Sequence, residues 1–468
     1  MARSNRKCKR KPSVGVTELK AMQTKMAGID IGSREHWVCG PANEDGQANV
    51  EVFATTTVEL NRMADWLCTQ GVKSVAMEST SVYWIPLFEL LESRGIEVVL
   101  ANARQIHNVP GRKTDYADCQ WIQLLHSCGL LRGSFRPTEA ITRLRSLQRQ
   151  AANLVAERTR SVQWMQKALD QMNVQVHRAV SDLTGVTGLA IVRAIVAGER
   201  DPLKLAAHRD RRCQHSVEEI AQYLTGNWRE EHLFNLASAL RLFDMIEGEI
   251  AAYDAKLQAL LEELHPPDRA DQSPPDHPDA TKDKSMRQRG LQPSRGALSR
   301  FCGVDLTRID GISPPAAQII LTEIGTRLEV FPTEHHFMSW LRLSPRTPLS
   351  GGKPLKKRRN GLGASRVAGV LRVAVTSLFR SKTALGAYYR RIASRKGAAV
   401  GIFAVARKLA ILVYRMLRYG QDYVDIGQRA YDALFQVRRL KALADSAKSM
   451  GFVLTPITTP IATDLPNG

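Results

Sequence analysis

Cysteine is scarce and unpatterned in this chain of 468 residues. The seven cysteines, at positions 8, 39, 68, 119, 128, 213 and 302, are odd in number, and no two are spaced Cys-x-x-Cys. This argues against a disulfide framework and against a thiolate zinc site, and it points to a reducing compartment. No apolar run approaches membrane-spanning length without charges, and no apolar core follows the basic N-terminus, so neither an anchor nor a signal peptide is expected. Acids are also in deficit: 46 Asp and Glu face 66 Lys and Arg, a formal charge of +20. A chain of this size, 44% hydrophobic, holds enough for two or three domains. Its cationic excess points to a polyanionic partner, nucleic acid before any other. A soluble, intracellular protein is expected.

What is present is organised around Met26–Val38, which reads MAGIDIGSREHWV. A short apolar strand carries Asp30 at its centre, with Gly28 and Gly32 on either side, where backbone or ligand can come close. A carboxylate in a core strand needs a buried cation, a polar cleft or a metal ion, unless it reaches solvent at the strand end. Before it, residues 1–24 concentrate Arg3, Arg6, Lys7, Lys9, Arg10 and Lys11 and are expected to form a basic, disordered arm. After it, strands are expected over Ala27–Ile31, His36–Cys39, Asn49–Ala54, Val72–Met77 (ending directly on Glu78) and Ile96–Ala101. Helices are expected over Leu60–Cys68 and Val82–Ser93. This order predicts a mixed sheet covered by helices.

Thr114 is a good N-cap for a helix whose apolar positions are Trp121, Ile122, Leu124 and Leu125. Asp115 and Asp118 share one face of its first turn, where they suit a ligand set and also suit the helix macrodipole. Residues 138–175 have the 3–4 spacing of a long helix, read either as a coiled-coil arm with a dimer contact or as a helix packed on its own core. More helix follows over 215–264, then a polar, Pro-rich linker. Asp182–Leu189 and Asp305–Ile312 echo one another, and the second copy, with Gly311 before a helix opening at Pro314, has the look of a helix–hairpin–helix turn whose backbone N–H groups meet a phosphate. Further on, Ser350-Gly351-Gly352 is followed by Lys353, Lys356, Lys357, Arg358 and Arg359, a hydroxyl on a Gly loop beside a dense run of cations suited to phosphates. Helices expected over Ser365–Phe379 and Ile402–Arg418 present Arg366 and other bases to a nucleic-acid backbone.

Asp30, Glu78, Asp115 and Asp118 fit one arrangement when taken together. In a ribonuclease-H-like fold the first, central strand donates an Asp, a later parallel strand ends on a Glu, and a helix against the sheet supplies the last acids. Such carboxylates repel unless divalent cations neutralise them, and hard oxygen ligands select Mg²⁺ or Mn²⁺. Two such ions, about 3.5–4 Å apart, are a standard apparatus for displacement at phosphorus.

In these residues the chain resembles the DEDD transposases of bacterial insertion sequences. The resemblance runs from about 26 to 440 and is carried by Gly28-Ile-Asp30-Ile-Gly-Ser33, Met77-Glu78-Ser-Thr-Ser-Val-Tyr83-Trp84, Lys113-Thr-Asp115-Tyr-Ala-Asp118 and Leu343-Ser-Pro345…Ser350-Gly351-Gly352-Lys353. It implies that the four acids hold Mg²⁺ or Mn²⁺ and that Ser350 attacks a DNA phosphodiester to form a covalent phosphoserine link. It also implies a structured non-coding guide RNA that pairs with donor and target DNA, a homo-oligomer built as a dimer of dimers, and action in the bacterial cytoplasm at the nucleoid. Lys353, Lys356, Lys357, Arg358, Arg359, Arg366 and Gly311 are the candidate nucleic-acid contacts. The domains expected are the arm 1–24, an α/β ribonuclease-H-like domain 25–135 with helices on both faces of a mixed sheet, a coiled-coil and helical region 136–264, a flexible linker 265–298, a mostly α-helical transposase domain 299–440 carrying the serine, and a disordered tail 441–468.

Three other readings use parts of the same evidence. A metal-dependent nuclease or junction resolvase needs the four acids and not Ser350. A sugar-kinase-like ATPase shares Gly-Ile-Asp-Ile-Gly-Ser but needs a second phosphate loop and an adenosine-binding Gly pair, and the sequence has neither. A nucleic-acid-binding protein without catalysis would use the acids structurally.

Overall fold

The computed structural model describes residues 23–43, 47–79, 81–102, 114–213, 215–265, 293–344, 349–350, 353–354 and 365–455. The chain divides into two compact units, Met1–Arg136 and Pro137–Gly468. No helix among the described residues is long and apolar enough to cross a membrane.

The first unit is built on strands β1 (Met26–Ile31), β2 (Glu35–Cys39), β3 (Val50–Ala54), β4 (Ser74–Glu78) and β5 (Glu97–Ala101) in the spatial order β3-β2-β1-β4-β5. β1, β2 and β3 pair antiparallel, while β1, β4 and β5 pair parallel, so β1 is central. The period of two along β1 sends Ala27, Ile29 and Ile31 to one face. There they meet Met63 and Leu67 of helix α1 (Thr57–Thr69) and Leu87 and Leu91 of helix α2 (Trp84–Ser93). Helix α3 (Asp115–Ser127) covers the other face, packing Trp121, Ile122 and Leu125 on Ala76 and Ala101. Ser74 and His126, both buried, close the far end of this layer with a 2.9 Å hydrogen bond between Oγ and Nε2. A mixed five-stranded sheet with helices on both faces is compatible with the ribonuclease-H-like expectation.

The closest approach in this unit lies at Gly28. A Cβ there would sit 2.2 Å from the Gln123 backbone nitrogen and 2.6 Å from the Cys119 carbonyl oxygen. The missing side chain lets the α3 backbone rest directly on β1, and the Gln123 side-chain amide donates to the Met26 carbonyl at 3.3 Å. Gly32 has a different task, since its N–H donates to the Glu35 carbonyl at 3.1 Å and closes the β1–β2 turn.

The second unit opens with α4 (Glu139–Gln171). It goes on through α5 (Val176–Ala179), α6 (Val186–Val196), α7 (Pro202–Ala206) and α8 (Val217–Tyr223) to α9 (Glu230–Glu263). α4 and α9 pack along each other within the chain, and the ion pairs Arg143–Glu263 and Arg158–Glu247 show that they run antiparallel. The two polar breaks in the apolar pattern of α4 are both satisfied: Arg158 by Glu247 at 2.7 Å, and Ser161 by donating to the Glu157 carbonyl at 3.2 Å. Met165, Leu169, Ile191, Ile195, Leu236 and Phe243 form the core where the short helices cap this pair. The expected helix over 215–264 is broken between α8 and α9 at Gly226, where a Cβ would meet Val174 Cγ2 at 2.3 Å.

Helices α10 (Arg295–Cys302), α11 (Pro314–Ile324) and α12 (Glu334–Trp340) follow, then the short strands β6 (Leu349–Ser350) and β7 (Lys353–Pro354). Helices α13 (Arg366–Thr376), α14 (Ala384–Lys396), α15 (Ala398–Tyr419) and α16 (Gly427–Ser449) complete the unit. α15 is the central helix of this group and buries Val405, Leu409, Val413 and Tyr414. The last helix extends to Ser449, past residue 441 where a disordered tail was expected. It buries none of its residues, and its Tyr431 and Phe435 rings lie against the Arg391 guanidinium.

Gly28→Ala is expected to destabilise the first unit by about 2 kcal/mol or more, because no side-chain rotation relieves a clash between Cβ and backbone. Denaturant unfolding measures this, and a change below about 0.5 kcal/mol would show that α3 does not rest on β1 as described.

Candidate functional site

Gly28 and Asp30 share the α3 face of β1, so the contact that brings α3 onto Gly28 also brings its first turn to Asp30. Thr114 fixes where that turn starts by accepting from the Ala117 N–H at 3.3 Å. Asp115 and Asp118 follow within the turn, and carboxylate oxygens of Asp30, Asp115 and Asp118 all lie within 4.8 Å of one another. Glu78 is the last residue of β4, which pairs in parallel with β1 up to Ile29 and Met77, one residue short of Asp30 and Glu78. It stands outside the three-acid group, yet its charge acts on Asp30.

Burial pushes the Asp30 carboxyl up to about 6, and repulsion from Asp115, Asp118 and Glu78 adds to the shift. The donor set fits a hard divalent cation: three carboxylates within reach of one ion, with no ion pair to Asp30 among the described residues. The neighbouring thiols do not compete. Burial pushes Cys39 up to about 11 and Cys119 up to about 12, so both remain protonated at neutral pH.

Sequence reasoning passed over Trp37, which the β1–β2 register places directly opposite Asp30. Its ring meets Tyr116 edge-on, with centroids 6.3 Å apart. Aromatic residues in alternating strand positions are common, and only the register distinguishes this one.

The other candidates belong to the second unit. The Ser350 backbone pairs with Lys353 in the antiparallel β6–β7 ladder. Lys356, Lys357, Arg358 and Arg359 lie outside the described residues. Arg366 opens α13, and its Nε lies 3.8 Å from the buried Glu323 carboxylate. Arg149 donates to the same carboxylate through Nε at 2.8 Å and Nη2 at 2.7 Å, and the Arg145 Nε is 3.4 Å away. Gly311 adopts φ +88°, and a Cβ there would sit 2.9 Å from the Ala374 carbonyl oxygen, so close packing on α13 already requires glycine. The echo between Asp182–Leu189 and Asp305–Ile312 is structural in its first half. Asp182 and Asp305 each accept from the N–H and hydroxyl of the Thr two residues on. The copies then diverge, for α6 begins at Val186 while α11 begins only at Pro314.

The raised Asp30 value has a definite sign for stability. The folded protein holds this proton up to about pH 6, whereas the unfolded chain releases it near 3.8. Stabilisation from this group is therefore complete below the lower value and lost as pH rises through the upper one. Metal-free protein should lose on the order of 1–2 kcal/mol from this group between pH 4 and pH 7. Asp30→Asn should remove that loss, as read by denaturant unfolding in EDTA at several pH values.

Residues 27–174 match the transposase family described as DEDD transposases of the IS110 type, and residues 304–390 match the transposase family described as IS116/IS110/IS902. The first match contains all four acids and the second contains Ser350. No curated protein matches the chain. With just over half of its residues covered by two matches to one family, the chain belongs to the IS110 family of DEDD transposases, enzymes that act on DNA.

Proposed function

We propose that this transposase cuts and rejoins the DNA strands of its insertion sequence through a serine-linked intermediate, with Asp30, Glu78, Asp115 and Asp118 as the ligands of Mg²⁺ or Mn²⁺ and Ser350 as the nucleophile. The observation that carries the reading is the group of three carboxylates within 4.8 Å, one of them on the central strand and held near pH 6 by burial and like charge. A divalent ion bound there would neutralise the carboxylates and polarise the scissile phosphodiester. Asp30, pushed up to about 6, would serve as a ligand once ionised, and the first turn of α3 holds Asp115 and Asp118 close to it. The Ser350 Oγ forms a bond to phosphorus as its proton passes to a base. One phosphorus–oxygen bond to the sugar breaks, and that oxygen takes up a proton, from the protonated base or from water, and leaves as a hydroxyl. Rejoining reverses these steps with a new hydroxyl. A hydroxyl is a weak nucleophile unless it is activated, and the cations Lys353, Lys356, Lys357, Arg358 and Arg359 offset the charge that develops on the phosphate. Arg366 and Gly311 belong to the same nucleic-acid surface in this reading. The resemblance adds a structured guide RNA that pairs with donor and target DNA, a dimer of dimers, and action at the bacterial nucleoid.

The test uses purified protein, its element-end RNA, and labelled donor and target DNA in Mg²⁺. Wild type should yield a protein–DNA adduct that resists denaturation. Ser350→Ala should abolish the adduct and lower strand transfer by about 10³-fold or more while RNA binding persists. Asp30→Asn should abolish both adduct and Mn²⁺ binding with the fold retained. Metal-dependent cleavage that survives in Ser350→Ala without an adduct would make the protein a nuclease or junction resolvase instead.

A further inference from the structure

The acid cluster has an aromatic flank that metal binding does not account for. Trp37 lies directly opposite Asp30 across the antiparallel β1–β2 pair, so both side chains leave the same face of the sheet. Tyr116 is the residue between Asp115 and the rest of the first α3 turn, and it meets Trp37 at 90° with centroids 6.3 Å apart. The indole is pinned, since its Nε1 donates to Glu35 Oε1 at 3.1 Å. Tyr116 is 46% exposed, so its ring is open to a ligand. A ring pair beside a carboxylate cluster, with Trp37 half-buried and Tyr116 open to solvent, is poorly explained as packing alone. It suits a flat apolar ligand brought in by a phosphate. Carboxylates repel a phosphodiester chain until they are neutralised, and stacking on a ring supplies attraction that carries no charge and tolerates any base.

We propose that Trp37 and Tyr116 form a stacking platform for an unpaired base of the DNA strand whose phosphate is bound at the acid cluster. The proposal rests on the acid-site reading above and adds to it how the strand is positioned. Tyr116 offers the open ring, and Trp37 sets its angle.

The experiment measures binding of the full-length protein to a labelled single-stranded DNA oligonucleotide in Ca²⁺, which supports binding without turnover. One abasic nucleotide is moved along the strand, position by position. Wild type is expected to bind about 10-fold more weakly when the abasic site falls at the stacked position. Tyr116→Ala should erase that preference, and Tyr116→Phe should keep it. A general loss of fold would weaken intact and abasic strands alike, so the ratio between them reports on stacking alone. A wild type indifferent to abasic substitution at every position overturns the platform, as does a preference that survives both Tyr116→Ala and Trp37→Ala. Mn²⁺ titration of Asp30→Asn runs beside it. Retained Mn²⁺ binding would overturn the acid site, and with it the placement of the base beside a bound phosphate, while the abasic ratio would still report whether the rings stack a base.

Discussion

The contact between the Gly28 backbone and the α3 backbone is the constraint on which the first unit depends. With no side chain at Gly28, α3 packs its own main chain at Cys119 and Gln123 against the central strand. That approach sets the height of the whole helix above the sheet. It brings Asp115 and Asp118, one turn earlier, to Asp30. The energetic consequence is unfavourable when taken alone, because Asp115, Asp118 and Glu78 act on the partly buried Asp30 carboxyl, which burial and their repulsion push up to about 6. The apolar faces of α1 and α2 on one side, and Trp121, Ile122 and Leu125 on the other, hold the sheet in place against this repulsion.

The second unit treats a buried acid in the opposite way. Glu323 is nearly inaccessible, yet it receives two hydrogen bonds from Arg149 and lies close to Arg145 and Arg366. Its charge is compensated within the fold, and it ties α11 to α4 and to the start of α13. Gln148 and Gln318 add a buried hydrogen bond of 2.6 Å to the same α4–α11 contact. Glu323 is buried and compensated, whereas the acid cluster is only partly buried and Asp30 has no ion pair among the described residues. This difference, more than the presence of acids, separates a structural charge from a candidate ligand set.

Much of the first unit was legible because its signals are local. Alternating apolar residues, Gly-bounded turns and the Thr114 cap placed its strands and helices within a few residues of where they lie, and the mixed sheet followed from their order. The long helix was legible by its spacing, but its neighbour was not. The same apolar stripe suits another chain or the antiparallel α9, and the structure pairs it with α9 through contacts about ninety to a hundred and twenty residues apart in sequence. Gly226 and Gly311 show a related limit, for each looks like an ordinary turn glycine until Val174 or the Ala374 carbonyl is seen beside it.

The sequence by itself determined residue types, the phase of each strand and helix, the excess of positive charge, and the order in which four acids and a serine occur. These depend on neighbours along the chain and on composition. The tertiary structure alone decided that Asp30, Asp115 and Asp118 share one space while Glu78 acts from its edge, that Trp37 faces the same side as Asp30, and that Glu323 is neutralised by arginines from α4 and α13. Those facts depend on register and on how closely two backbones approach, and both are set by contacts between residues far apart in sequence.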